Sequence, residues 1–187
     1  MLNNRGTQAI QTERLLLRRF TPADAEAMFQ NWANDPMVTR YVTWPPHGSL
    51  AVTQELLASW CQAYERDDNY NWAIEYEGKL VGSISVVRLN AKVEWADLGY
   101  CLSRSCWSKG IMTEAVLALV DYLFCEVGVN RIGIDLAAQN LASGRVAQKC
   151  GFTYEGTARA YIKVSTGDIL DVKHYSLLRE EWLAQKA

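Results

Sequence analysis

Leu102-Ser103-Arg104-Ser105-Cys106-Trp107-Ser108-Lys109-Gly110-Ile111-Met112-Thr113-Glu114-Ala115 is the stretch on which the fold turns. A strand pattern, Ala96–Leu102, runs into it, and a helix leaves it with Gly110 in the first turn. Val116, Leu119, Leu123 and Val127 recur on one face of that helix, and Gly128 supplies its C-terminal cap. A second strand follows over Arg131–Leu136, where Ile132, Ile134 and Leu136 alternate with other residues. Asn140 then caps a helix over 141–150 that Gly151 ends. A long helix between two strands predicts a parallel pair joined by a right-handed crossover.

The first turn of a helix carries backbone N–H groups without intrahelical partners, backed by the helix dipole. A diphosphate suits such a place. Gly110 allows close backbone approach, and Lys109 and Arg104 add charge. An ordinary helix start with a surface lysine fits the same letters. Neither Gly-x-x-x-x-Gly-Lys-[Ser/Thr] nor Gly-x-Gly-x-x-Gly occurs, so the phosphate-binding loops those strings mark are excluded. Asn140 and Ser143 stand just past the C-terminal end of the second strand, where open α/β sheets bind ligands. As a plain cap and a solvent-facing serine they need no ligand.

Outward from this centre, Glu13-Arg14-Leu15-Leu16-Leu17-Arg18-Arg19 predicts a first strand. Thr21-Pro22-Ala23-Asp24 predicts a capped helix that runs to about Ala33. Residues 36–48 hold Pro45-Pro46 and several rings, so no regular element is expected there. A helix from Ser49 should bury Val52, Leu56, Trp60 and Tyr64. Strands near 71–76 and 79–89 read as a hairpin about Glu77-Gly78. Strands over 152–160 and 167–178 surround Thr166-Gly167-Asp168, and a short helix over 179–185 ends the chain. Residues 1–187 read as a single domain, with a core over about 12–182.

At 187 residues, 49% hydrophobic and 21% charged, the chain is long enough for one packed core and is neither disordered nor fibrous. A formal charge of −2 offers no electrostatic case for nucleic acid or an anionic membrane. Seven Trp and nine Tyr exceed what a core alone needs and suit a lined pocket. Five scattered cysteines without a Cys-x-x-Cys, together with the absence of an apolar span or leader, suggest a reduced, cytoplasmic chain. His47 and His174 are too far apart in sequence to support a metal cluster, so no metal is expected.

Gly99-Tyr100, Trp107 to Ala115, Asn140-x-x-Ser143 and Lys149-Cys150-Gly151-Phe152-x-x-Glu155-Gly156 together resemble the GNAT superfamily of acetyl-CoA-dependent N-acetyltransferases. Trp72-Ala73-Ile74, Gly78 to Ile84, and the tail from Gly167 to Trp182 fit its RimJ/RimL-like branch, which acetylates protein N-termini, including those of ribosomal proteins. The resemblance runs from about Thr12 to Trp182. It implies an α/β (α+β) fold: a mixed, mostly antiparallel twisted sheet of about seven strands, a central splayed parallel pair, and helices on both faces. It implies acetyl-CoA as co-substrate, with pantetheine against the backbone of Tyr100, Cys101 and Leu102. The diphosphate would rest on Trp107, Ser108, Lys109, Gly110, Ile111, Met112 and Thr113, with Asn140 and Ser143 beside the arm.

Four positions depart from the superfamily pattern. Trp107 and Met112 hold the first and last places of the diphosphate loop, and Ser108 stands where a further glycine is common. The tyrosine that many members place four residues before the Gly-Phe pair is Ala147 here, which leaves Ser143 as the acid for the departing thiolate.

An acceptor amine must be neutral to attack. At pH 7 a lysine amine with pKa ~10.4 is about 0.04% neutral, a deficit of roughly 4.6 kcal/mol, while an α-amine with pKa ~8 is about 10% neutral, nearer 1.4 kcal/mol. A protein α-amine is thus the easier acceptor for a site without a strong base. Glu94, Asp97 and Asp171 are candidate bases, Asp97 foremost because it borders the splayed strand. His174 is a further candidate by residue type, but alternation does not say which way it points. Cys101 and Cys106 flank the loop without a histidine nearby in sequence to activate them, so a covalent carrier is not expected. Tyr41, Trp44 and Tyr161 are expected to wall an acceptor pocket between residues 36–48 and 159–168. The alternatives are a small-amine N-acetyltransferase (polyamine, amino acid or aminoglycoside) and a non-catalytic acyl-CoA-binding module. The oligomeric state stays open, a homodimer included.

Overall fold

The computed structural model describes residues 2–186. Eight strands form one sheet: β1 (Ile10–Gln11), β2 (Leu15–Arg18), β3 (Asn71–Tyr76), β4 (Lys79–Asn90), β5 (Trp95–Leu102), β6 (Arg131–Ala137), β7 (Thr153–Lys163) and β8 (Ile169–Leu178). Their spatial order is β1-β2-β3-β4-β5-β6-β8-β7. The helices are α1 (Ala25–Met28), α2 (Leu50–Ala63), α3 (Ile111–Tyr122), α4 (Leu141–Lys149) and α5 (Arg179–Lys186). The strand beyond the expected seven is β1, whose two residues are too few to carry a period. It pairs with β2 through Ile10↔Leu17.

Local chemistry accounts for the element ends. Glu77 and Gly78 both take positive φ, 51° and 71°, which is the backbone a two-residue hairpin needs. The expected helix from Thr21 is present in three pieces: a 3₁₀ turn over Pro22–Asp24, α1, and a π turn over Phe29–Ala33. Thr21 and Asp24 form its capping box. α3 starts at Ile111 rather than Lys109, because Gly110 is left-handed at φ 76°. It continues as a π turn to Val127 and ends on Gly128 at φ 84°.

The sheet separates two apolar layers. Trp72, Ile74, Ile84, Leu98, Ile132 and Ile134 face α3 and the π turn that continues it, where Val116, Leu119 and Leu123 are fully buried. Ala73 and Leu80 face the other way, toward Phe20, Met28, Trp32 and Leu57 of the α1/α2 layer. The face of α2 differs from the expected one. Val52 is 44% exposed, and Thr53 and Leu57 are buried instead, because the helix also covers the ring-rich segment around His47.

Among the described residues only β5 and β6 run parallel, and their pairing stops early. Trp95↔Arg131, Ala96↔Ile132, Asp97↔Gly133 and Leu98↔Ile134 form the ladder. Beyond it, β5 stays with β4 as far as Gly82↔Leu102, and β6 stays with β8 as far as Ala137↔Val172. The two strands therefore fork after Leu98 and Ile134, with α3 starting beyond the end of one prong and α4 beyond the end of the other.

Candidate active site

At the β5 prong, Ser108 and Gly110 are both left-handed, at φ 61° and 76°. That explains why glycine suits position 108: an L side chain there costs roughly 1–2 kcal/mol of strain. No side chain caps the start of α3, so its first N–H groups are left for a ligand or water. Trp107 donates its indole N–H to the Leu102 carbonyl at 2.8 Å, fastening the loop to the strand end while its ring stays 42% exposed. Ile111 and Met112 are buried and anchor the first turn in the core. Lys109 lies exposed on the loop. Arg104, read as a second cation for the anion site, instead pairs with Asp35 at 2.5 Å.

Arg14 occupies that neighbourhood, and its sequence context alone does not announce it. Its guanidinium donates to the Lys109 carbonyl at 3.1 Å and to Glu114 at 2.6 Å. Glu114 also accepts from the Arg14 backbone and from the Thr12 hydroxyl. One carboxylate in the first turn of α3 thus ties that turn to the β1–β2 hairpin. The signal in the sequence is an acidic residue at a helix start a hundred positions from its basic partner.

At the β6 prong, the Asn140 side chain accepts from the Ser143 backbone N–H at 3.2 Å and caps α4. The Ser143 hydroxyl lies 2.8 Å from the Tyr100 phenol, with either atom able to donate. Tyr100 is on β5 past the fork, and burial raises its pKa, opposed by the Ser143 bond. The side-chain role of this phenol was not legible in sequence, where Tyr100 stood only for its backbone. A cleft of about 170 Å³ opens beside Asn140, lined also by Gly144, Arg145, Lys173 and Tyr175. Burial pushes the thiols of Cys101 and Cys150 up to about 12, so neither is a thiolate near neutrality.

The opposite face of the fork is charged. Asp97 is 3% exposed and ion-paired with Arg88. Burial raises its pKa, with Arg88 pulling it back. Its carboxylate lies over Gly133, where a Cβ has no room. Arg88 also reaches Asp135 at 2.6 Å, and Asp135 holds His174 Nδ1 at 2.6 Å. Tyr161 stands edge-on to the His174 ring at 5.4 Å.

The other two candidate bases lie elsewhere. Glu94 is in the β4–β5 turn at φ 51°, at the closed end of β5. Asp171 accepts from the Ala160 N–H at 2.8 Å and holds a bulge of β7 in place. Ser165 bonds the carbonyls of Val42 and Thr39, joining segment 36–48 to the β7–β8 loop. Tyr41 lies on that segment under Arg40, while Trp44 packs on His47 and the α1/α2 layer.

Among the described residues, no group of three His, Cys, Asp or Glu is placed to hold a metal ion, and no helix is long and apolar enough to cross a membrane. Residues 14–153 match the acetyltransferase (GNAT) domain. The "Uncharacterized N-acetyltransferase YoaA" of Bacillus subtilis (strain 168) is 32% identical over 172 residues, covering 91% of this chain and 96% of its own. The ribosomal-protein-serine acetyltransferase of Escherichia coli (strain K12) is 32% identical over 80 residues, covering 43% of this chain and 45% of its own. In fold, the chain is similar to RimL, a ribosomal L7/L12 alpha-N-protein acetyltransferase solved with coenzyme A. The TM-score is 0.84 at 23% identity, over 93% of this chain and 99% of that one.

Proposed function

The chain belongs to the acetyltransferase (GNAT) family and is an N-acetyltransferase, and from that premise we propose that it moves an acetyl group from acetyl-CoA directly onto the α-amine of a peptide or protein. Ribosomal proteins are the acceptor class that the Escherichia coli relative's name suggests. Such an acceptor would put the reaction in the cytoplasm. The observation that carries the reading is the fork: an uncapped helix start at the mouth of one prong and a hydroxyl pair between the two.

In this reading the diphosphate rests on the N–H groups of residues 107–113, with Lys109 adding charge. Pantetheine lies along Tyr100, Cys101 and Leu102, whose edge toward β6 is unpaired. The thioester then lies near Leu98 and Ile134. Ser143 gives its proton to the departing sulfur, fixed by Asn140 through its backbone and by Tyr100 through its hydroxyl. Asp97 anchors Arg88 on the acceptor side. Tyr41, Trp44 and Tyr161 wall the acceptor's approach.

Thiol release from acetyl-CoA with an amine panel tests this. The panel holds a serine-initiated peptide amide, a polyamine, an amino acid and an aminoglycoside. We expect the peptide to be preferred, and Ser143→Ala to lower its kcat by ~10²-fold. Preference for a small amine would move the acceptor class. Tight CoA binding without turnover on any amine would make the chain a binding module.

A further inference from the structure

Building on that reading of the fork, we propose that His174, held by Asp135, is the general base that takes the proton from the acceptor amine. Asp135 is the first residue of β6 beyond the last rung, Leu98↔Ile134, so it stands where the strands part. His174 is its partner across β8. Strand alternation puts both on the face opposite α3, since Ile134, Leu136 and Tyr175 on either side of them pack toward α3 and α4. Tyr100 and Ser143 lie on the α3/α4 face. Acid and base thus flank the fork from opposite sides. This arrangement suits direct transfer, with a base on the side from which the amine comes and an acid on the side where the sulfur is released.

The Nδ1 bond to Asp135 at 2.6 Å sets the imidazole's orientation. With Nδ1–H donating to the carboxylate, the Nε2 lone pair is the acceptor. Among the described residues Nε2 has no hydrogen-bond partner, and the side chain is 30% exposed, open to an incoming amine. The ion pairs Asp97–Arg88 and Arg88–Asp135 hold the carboxylate from behind. The groups facing the ring come from four strands. Asp135 of β6 and Tyr161 of β7 touch it, Glu155 of β7 feels its charge, and Arg88 of β4, Asp97 of β5 and Arg131 of β6 complete the set through their ion pairs with these carboxylates. Glu155 is committed to Arg131 and the Ser176 hydroxyl, which leaves Asp135 as the carboxylate that orients the ring.

The protons balance. The ammonium gives one proton to Nε2, which passes it to solvent. The N–C bond forms as the C–S bond breaks. The second proton leaves the nitrogen by the same route through Nε2 to solvent, and solvent returns one to the Ser143 oxygen after it has protonated the sulfur, so one proton is released per turnover.

Steady-state kinetics on the full chain test the assignment, with the serine-initiated peptide amide at saturation and calorimetric CoA binding alongside. His174→Asn should lower kcat by ~10²-fold at pH 7 while the CoA dissociation constant holds. That deficit should shrink about tenfold by pH 9, as the neutral fraction of an α-amine with pKa ~8 rises from about 10% to about 90%. Asp135→Asn, which keeps the ring but loosens it, should show a smaller loss with the same pH trend. Wild-type kcat in His174→Asn, or a deficit equal at both pH values, overturns the base assignment and leaves the transfer reading standing. A wild-type chain that binds CoA but acetylates no amine fails on the reading itself, and the assignment falls with it.

Discussion

At Glu155, two bonds from the Arg131 guanidinium and one from the Ser176 hydroxyl converge on a single carboxylate. The Arg131 bonds, followed by the Ser176 bond, outweigh burial and lower its pKa from 4.5 to about 2. A depressed carboxylate stabilises the fold above about pH 4.5, and that contribution drains away as pH falls toward about 2. The side chain is 40% exposed, so the contribution is below about 1 kcal/mol. Glu155→Gln should therefore melt up to ~4 °C lower at pH 7, with the gap to wild type narrowing in melts at pH 3.5. An equal gap at both pH values would contradict the linkage. Residues that act through neighbours in sequence were legible without coordinates. Gly110 and the Asn140–Ser143 cap follow from helix-end chemistry within four positions. Tyr100 and His174 were not, because their partners lie 43 and 39 positions away on other elements.

Among the elements, α3 is the one whose start matters most, and it is held from outside. Thr12 and Arg14 reach it from the β1–β2 hairpin mainly through Glu114, with one further bond from Arg14 to the Lys109 carbonyl. Replacing Glu114 by Ala removes these bonds and loosens residues 109–113. We expect a loss of about 1–2 kcal/mol in denaturant melts. The CoA dissociation constant should rise about fivefold, the equivalent of about 1 kcal/mol. An unaltered constant would show that the loop keeps its shape without the hairpin. The strands and helices with strong periods were readable; β1 and the π turns were not. Two residues carry no alternation, and a π turn leaves the apolar spacing of its helix nearly intact. The face of α2 misled because spacing counts apolar residues, whereas burial here follows His47, whose ring bonds Thr53 at 2.7 Å.

Across the whole molecule, one sheet carries two apolar layers and two chemistries. The α3/α4 side holds the hydroxyl pair, and the other side holds the Arg88–Asp135–His174 chain. Both layers share every central strand, so neither unfolds without exposing the other, and a single cooperative transition is the natural expectation. The parallel pair and its crossover were legible in the order strand–helix–strand–helix. That the pair forks was carried by family resemblance, since no residue of β5 or β6 announces it. Where the ladder stops, those amides of residues 99–102 and 135–137 that do not point to β4 or β8 face a seam instead of each other. On the proposed binding mode, a thread of coenzyme drawn into that seam would act as a stitch. At a hundred times its dissociation constant it should raise the unfolding free energy by about 2.7 kcal/mol. Deuterium should then enter those amides more slowly than it does in the unstitched chain.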